Sequence, residues 1–515
     1  MAFWRWIFTA SRVHNGPLHN AAFAIFGISN SDLISVLLLF CVNFLNYMDR
    51  FTIAGIPDMI RNYYHIDSKR LGLLQTSFIV SYMFLSPVFG YLGDRWKRKY
   101  LMVIGLFVWS VVSLGSSFVP SNSFGLFLTL RCIVGVGEAS YSTLAPTILT
   151  DLFTGNSRTS VLGFFYFAVP VGRQRIFHYS SGFGYVVGSA VARATGNWAW
   201  ALRITPTLGL FCLLALIAFH TDPPRGLADG AVHLRTTSWW SDLRSLYSNR
   251  CFLFLSVGFT GNCFVLGALS WFSVDYIQDA INARGHGNAS DYPVALLFGL
   301  SACFAGLLGV VAGTSLARSL RAYSIRVDAY ISGIGLLLSA PFILAGLMAP
   351  IYSFYLCLGF VFAGQFLICL NWPLISDMTM SVVVPTRRAT ANAFQMLMTH
   401  AFGDAISPFI IGIIADAQQT SDSTMSRYLG MQRALFTTVF ICILSGFLLL
   451  CASWYLEPAK ARVQFIIDAS QVEHFDIQEA EVGAERRPLL PDDGYGTSAQ
   501  STSWLSFAQS NVVIS

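Results

Sequence analysis

Arg131 and Glu138 stand seven residues apart in Arg131-Cys132-Ile133-Val134-Gly135-Val136-Gly137-Glu138, a run that is otherwise apolar. A spacing of seven puts both on one helix face, two turns apart. Inside a bilayer-spanning helix each such group costs about 2.5–3.5 kcal/mol on insertion scales. Such groups line hydrated or protein-lined paths and carry ions, protons or charged substrate. Asp49 is a further carboxylate at the end of an apolar run. His400 and Asp404 lie one helical turn apart, a spacing at which a histidine–carboxylate pair can titrate in mildly acidic conditions, or simply join two helices by a hydrogen bond. Asn262, Asn371 and Trp372 are polar groups placed to line a cavity in the same half of the chain. The chemistry on offer is proton and solute transfer across a membrane.

The elements that must position these residues are helices. The chain has 515 residues, of which 54% are hydrophobic and 11% charged, against about 25% charged in an ordinary soluble chain. Apolar runs long enough to cross about 30 Å of hydrocarbon recur along it. Twelve spans are expected, at 33–57, 71–93, 100–119, 124–149, 159–192, 199–220, 252–278, 293–317, 328–348, 352–381, 389–415 and 432–455. This is an all-α membrane protein with two six-helix halves, 33–220 and 251–456. They are joined by a cytosolic loop at 221–250, after an N-terminal cytosolic segment at 1–32. Residues 457–515 turn polar and acidic and are expected to form a disordered cytosolic tail.

Lys and Arg number about fourteen on one set of connections and about seven on the other, which places both termini in the cytosol. The sequon Asn288-Ala289-Ser290 then faces the lumen or exterior as a glycosylation acceptor. Residues Arg173 to Ser181 interrupt the fifth span with polar groups and read as an insertion or a transcript error, not a functional re-entrant segment. The ten cysteines form no CxxC pair and the nine histidines no cluster, so neither disulfide chemistry nor a metal is expected. No GxSxG elbow or phosphate-cradling motif supports an enzyme, and no basic tract supports nucleic-acid binding.

The loop Gly90-Tyr91-Leu92-Gly93-Asp94-Arg95-Trp96-Lys97-Arg98-Lys99 combines close-packing glycines, an acid and a basic cluster. With twelve spans and a central loop it resembles the signature gating loop of the major facilitator superfamily, through Gly90, Gly93, Asp94, Arg95 and Arg98. Further stretches narrow the resemblance: Asn46-Tyr47-Met48-Asp49-Arg50, Gly135-Val136-Gly137-Glu138-Ala139-Ser140, Trp200-Ala201-Leu202-Arg203, Asp222-Pro223-Pro224-Arg225-Gly226 and Val384-Pro385-Thr386-Arg387-Arg388. Together they look like the spinster family of lysolipid and sphingolipid transporters, over about residues 40–455.

That resemblance implies a major facilitator fold in which the first and fourth helices line the central cavity, so that Asp49 and Arg131 meet as an ion pair. It implies proton coupling through Asp49 and Glu138, with Glu138 near the midplane as the proton carrier, and headgroup binding through Arg131. His400 and Asp404 are added to the proton-coupling set, and Asn371, Trp372 and Asn262 to the substrate-binding set. An acid at Glu138 fits the lysosomal lysophospholipid branch, whereas Gln365 stands where that branch usually has Glu. The expected function is proton-coupled export of lysophospholipid from a lysosomal or late-endosomal lumen, with no cofactor other than the proton. The alternatives are a sphingosine-1-phosphate or other sphingolipid exporter at the plasma membrane, and a transport-inactive scaffold. In the tail, Glu485-Arg486-Arg487-Pro488-Leu489-Leu490 resembles an acidic dileucine signal for a clathrin adaptor.

Overall fold

Long apolar runs make the helices, and small polar residues end them. Asn197 caps one span by accepting the backbone N–H of Ala199 at 2.9 Å, as expected of an N-cap side chain. The computed structural model describes residues 30–53, 56–66, 68–173, 191–192, 194–234, 236–283, 294–421 and 423–485. Among these, no strand occurs.

The first half holds α1 (Asn30–Thr52), the short α2 (Pro57–Tyr64), α3 (Ser68–Arg95), α4 (Arg98–Ser116), α5 (Phe124–Leu152), α6 (Gly155–Arg173) and α7 (Trp198–Phe219). The connection carries α8 (Trp239–Ser248). The second half holds α9 (Arg250–Ala283), α10 (Val294–Leu320), α11 (Val327–Met348), α12 (Phe354–Cys369), α13 (Trp372–Ser381), α14 (Arg388–Thr399), α15 (Ser407–Gln418) and α16 (Thr424–Glu485). Eleven stretches among the described residues are long and apolar enough to cross a membrane. The fifth expected span begins as α6, and its remainder from 174 to 190 lies outside the described residues, as do Asn288 and all of the polar interruption except Arg173.

Each half has its own apolar core, one around Leu39, Trp109 and Leu144, the other around Phe252, Leu336 and Met378. Large apolar side chains such as Phe84, Phe211 and Phe440 are about two-thirds exposed on the helix flanks. Water would not tolerate so much apolar surface, and a bilayer covers it.

Two spans break. The tenth is interrupted at Leu370–Asn371, between α12 and α13, with right-handed helical dihedrals kept at both residues and Pro373 in the first turn of α13. The eleventh passes through a π-turn at His400–Asp404, where Gly403 leaves helical geometry. A Cβ on Gly403 would lie 2.9 Å from Cys263 Cβ and 3.0 Å from Thr260 O, so glycine is what lets α9 approach this break.

One expectation is corrected. The stretch from 457 to 485 is helix, a continuation of α16, and not disordered tail. Val463 and Ile467, four apart, bury against Ala231 of the central connection, a short apolar face that a search for sustained periodicity passes over. Glu485 is the last residue of α16, and Leu489 and Leu490 lie outside the described residues.

Candidate functional site

Between the halves lies a cavity lined by both. The first half contributes Tyr47, Arg50, Ile79, Tyr82 and Tyr166. The second contributes Phe259, Leu266, Phe298, Gln365, Trp372, Gln395, Met396, His400 and Asp404, among others. The wall is mostly apolar and aromatic with a few polar points, the pattern expected of a small-molecule site. Trp372 is held edge-on by Phe259 and Tyr166, at centroid distances of 5.4 and 6.2 Å.

Among the described residues Arg50 is the arginine that lines this wall. It donates from Nη2 to Glu138 Oε1 in a short, buried ion pair. Its guanidinium carbon lies 4.9, 5.1 and 5.3 Å from the ring centroids of Phe78, Tyr82 and Tyr47. Sequence reasoning left Arg50 out of the site, because a basic residue at a helix end is ordinary. Its signal was its place beside Asp49 inside the span.

Asp49 and Arg131 do meet, at 3.5 Å, but behind the cavity wall. Asp49 also accepts from Thr205 Oγ1 at 2.8 Å and Ser113 Oγ at 3.1 Å, so it ties α1 to α4, α5 and α7. Arg131 is 1% exposed and does not line the cavity. Of the two guanidiniums, Arg50 lines the cavity and Arg131, the expected headgroup ligand, does not, and Glu138 takes Arg50 as its hydrogen-bonded partner. Asn262 and Asn371 are likewise fully buried, Asn262 Nδ2 donating to Asn371 Oδ1 at 3.3 Å. They brace α9 against the break in the tenth span, and of the three expected polar residues Trp372 alone reaches the wall. His400 Nδ1 and Asp404 Oδ1 are 2.9 Å apart, both on the wall, with Tyr82 edge-on to His400 at 5.2 Å. Gln365 Oε1 faces the cavity region without a hydrogen-bond partner among the described residues.

The cavity sits among the middle stretches of the spans, with Phe259, Ser270 and Trp271 of α9 and Met396 of α14 on its wall. The end that bears the central connection, cytosolic by the positive-charge bias, is shut. Asp94 accepts the backbone N–H groups of Ala389 and Thr390 at 2.9 and 2.8 Å. A carboxylate from one half thus caps α14 of the other, where the helix dipole favours negative charge. Gly90 permits the contact, since a Cβ there would sit 2.5 Å from Ala393 Cβ and 2.8 Å from Ala389 O. Around it, Asp151 accepts from Arg98 at 2.5 Å and from Arg388 at 3.1 Å. Asp377 accepts from Arg321 at 2.6 Å and from Thr159 of the other half at 2.5 Å.

The connection joins in. Asp229 pairs with Arg158 and Arg388, each at 2.6 Å. Asp242 pairs with Arg95 at 2.7 Å and Arg387 at 2.9 Å. Burial alone would raise the Asp229 pKa, but Arg388 and Arg158 outweigh it and hold the carboxyl below its ordinary value.

Comparison with known proteins agrees with this architecture. Residues 39–408 match the family described as Major Facilitator Superfamily. The mouse protein spinster homolog 1 is 42% identical over 452 residues, covering 85% of this chain and 84% of its own. The human protein of that name is 41% identical with the same coverage. The chain belongs to the spinster family of the major facilitator superfamily. The Drosophila protein spinster is 42% identical over 391 residues, 76% of this chain and 63% of its own.

Among solved structures, a bacterial homolog to the human lysosomal transporter Spinster, in an inward-facing and unoccupied conformation, aligns with TM-score 0.56 at 19% identity. It covers 84% of this chain and 98% of its own. The proton:xylose symporter XylE aligns with TM-score 0.59 at 14% identity, over 81% and 94%. At these identities the likeness speaks for the fold. As a spinster-type facilitator the chain is a multi-pass membrane transporter and not an enzyme, and it works by secondary transport with alternating access. The end that bears the central connection is closed here by contacts between the halves.

Proposed function

We propose that this spinster-type transporter carries lysophospholipid from the lumen of a lysosome or late endosome to the cytosol, driven by the proton gradient. The observation that carries the reading is the Arg50–Glu138 pair at the wall of a large, aromatic-lined cavity bounded by both halves. A tetrahedral lipid phosphate can take two parallel hydrogen bonds from the planar fork of a guanidinium, and the apolar wall suits an acyl chain. Phosphate binding at Arg50 competes with Glu138, and a carboxylate that loses its cation in a buried site takes up a proton. Lumenal acid and lumenal lipid therefore favour the same rearrangement. His400 and Asp404, contributed to the wall by the second half, offer a negative pole for a headgroup ammonium.

The test is uptake of labelled lysophosphatidylcholine into proteoliposomes with an imposed pH gradient. The parent responds to the gradient, and Glu138→Gln transports at a rate independent of it. A parent that moves no lysophospholipid, or a Glu138→Gln variant with the parent's pH response, overturns the reading. Preference for sphingosine-1-phosphate in the same assay would move the chain to the sphingolipid branch.

A further inference from the structure

In a two-bundle transporter the segment between the halves is commonly treated as a tether. Here it is seated in the closed cytosolic end. Gly226 N donates to Asp151 Oδ1 at 3.0 Å and Ala228 N to Asp151 O at 3.1 Å. This fixes the turn to the first half. Gly226 adopts φ +68° and packs against Pro385 of the second half, where a Cβ would come within 2.9 Å of the ring. The short apolar face of α16, Val463 and Ile467, closes over Ala231.

So held, the connection presents two carboxylates, Asp229 and Asp242, and each grips one arginine from either half. Asp229 holds Arg158 and Arg388, and Asp242 holds Arg95 and Arg387. A third loop carboxylate behaves differently. Asp222 reaches Arg98 at 3.2 Å and the backbone N–H of Lys99 at 3.4 Å, both in the first half.

We infer that Asp229 and Asp242 are positioning residues of the transport cycle, a pair of loop-borne clasps that stabilise the cytosol-closed state and must each release one arginine for the cytosolic end to open. Parting the halves carries Arg158 away from Arg388 and Arg95 away from Arg387, so neither carboxylate can keep both partners. Their stabilisation is therefore differential between the two facing states, which is what shifts a conformational equilibrium. Asp222 keeps its partners in both states and contributes no bias. This holds whichever lipid is carried.

The experiment uses the full-length protein in nanodiscs. Spin labels are placed on bioorthogonal residues at the exposed positions 157 and 322, one at the cytosolic end of each half, leaving the native cysteines intact. Distance distributions are recorded by pulsed electron spin resonance for the parent, Asp229→Asn, Asp242→Asn, Asp229→Glu and Asp222→Asn. The expected result is a rise of about fivefold or more in the long-distance, cytosol-open fraction in both Asn variants. Asp229→Glu and Asp222→Asn match the parent. Unchanged distances in Asp229→Asn and Asp242→Asn, or an equal rise in Asp222→Asn, overturn the proposal. Should one Asn variant fail to fold, the other decides by the same criterion.

Discussion

Arg50 and Arg131 are both guanidiniums within reach of a carboxylate, yet their surroundings separate them. Arg131 is sealed behind the wall with Asp49, while Arg50 is about 10% exposed to the cavity. Removing Arg131 leaves Asp49 as a buried charge without its cation, which costs about 3–5 kcal/mol. Arg131→Gln should therefore lower the melting temperature and folded yield, measured by thermal-shift assay. Arg50→Gln likewise takes the cation from buried Glu138 and should act on substrate as well. Loss of a charge-assisted hydrogen bond of about 1.5–3 kcal/mol raises KM for lysophosphatidylcholine by about tenfold or more. The sequence made Arg131, Glu138 and Asp49 conspicuous because each is a charge in an apolar run. It did not order them in space. Arg50 was hidden by looking like a helix-end cation, and only the fold places it 88 residues away in sequence against Glu138.

At the scale of elements, the contact of α3 with α14 is the tightest constraint on the closed end. Adding a methyl at Gly90 forces Ala393 or the Ala389 carbonyl to move, and such overpacking typically costs about 1–3 kcal/mol. Gly90→Ala should thus shift the protein toward the cytosol-open state, read as a longer distance between labels at 157 and 322. The clasp at Asp229 has a defined pH behaviour. Its pKa is depressed in the closed state, so its stabilisation is present above the ordinary carboxylate pKa of about 3.9 and is lost only as pH falls through the lowered value. The difference in open fraction between the parent and Asp229→Asn should stay constant from about pH 8 to about pH 5. Element boundaries were legible where apolar runs met Gly, Pro or charge, as at α4, α7 and α11. The extension of α16 was not, because its helix leans on two residues, Val463 and Ile467, whose partner Ala231 lies far away in the chain.

For the whole molecule, two six-helix halves follow from span count and the central connection, and family membership agrees. Which end is shut does not follow, since an alternating transporter must be able to close either. The closed cytosolic end here is built from charges that sequence alone read as a positive-inside bias, and the carboxylates that neutralise them come from both halves and the connection. Cys369, on the cavity wall, offers a report on this state. A membrane-impermeant thiol reagent added on the lumenal side should label it in the parent. In Asp229→Asn the labelling rate should fall as the population turns inward.

The most direct measurement is proton movement accompanying lipid movement, followed with a pH-sensitive dye enclosed in proteoliposomes during lysophosphatidylcholine uptake. Coupling through Glu138 predicts proton entry in step with lipid in the parent, and lipid entry without proton entry in Glu138→Gln. Equal lipid uptake by the parent with no accompanying proton flux would contradict it.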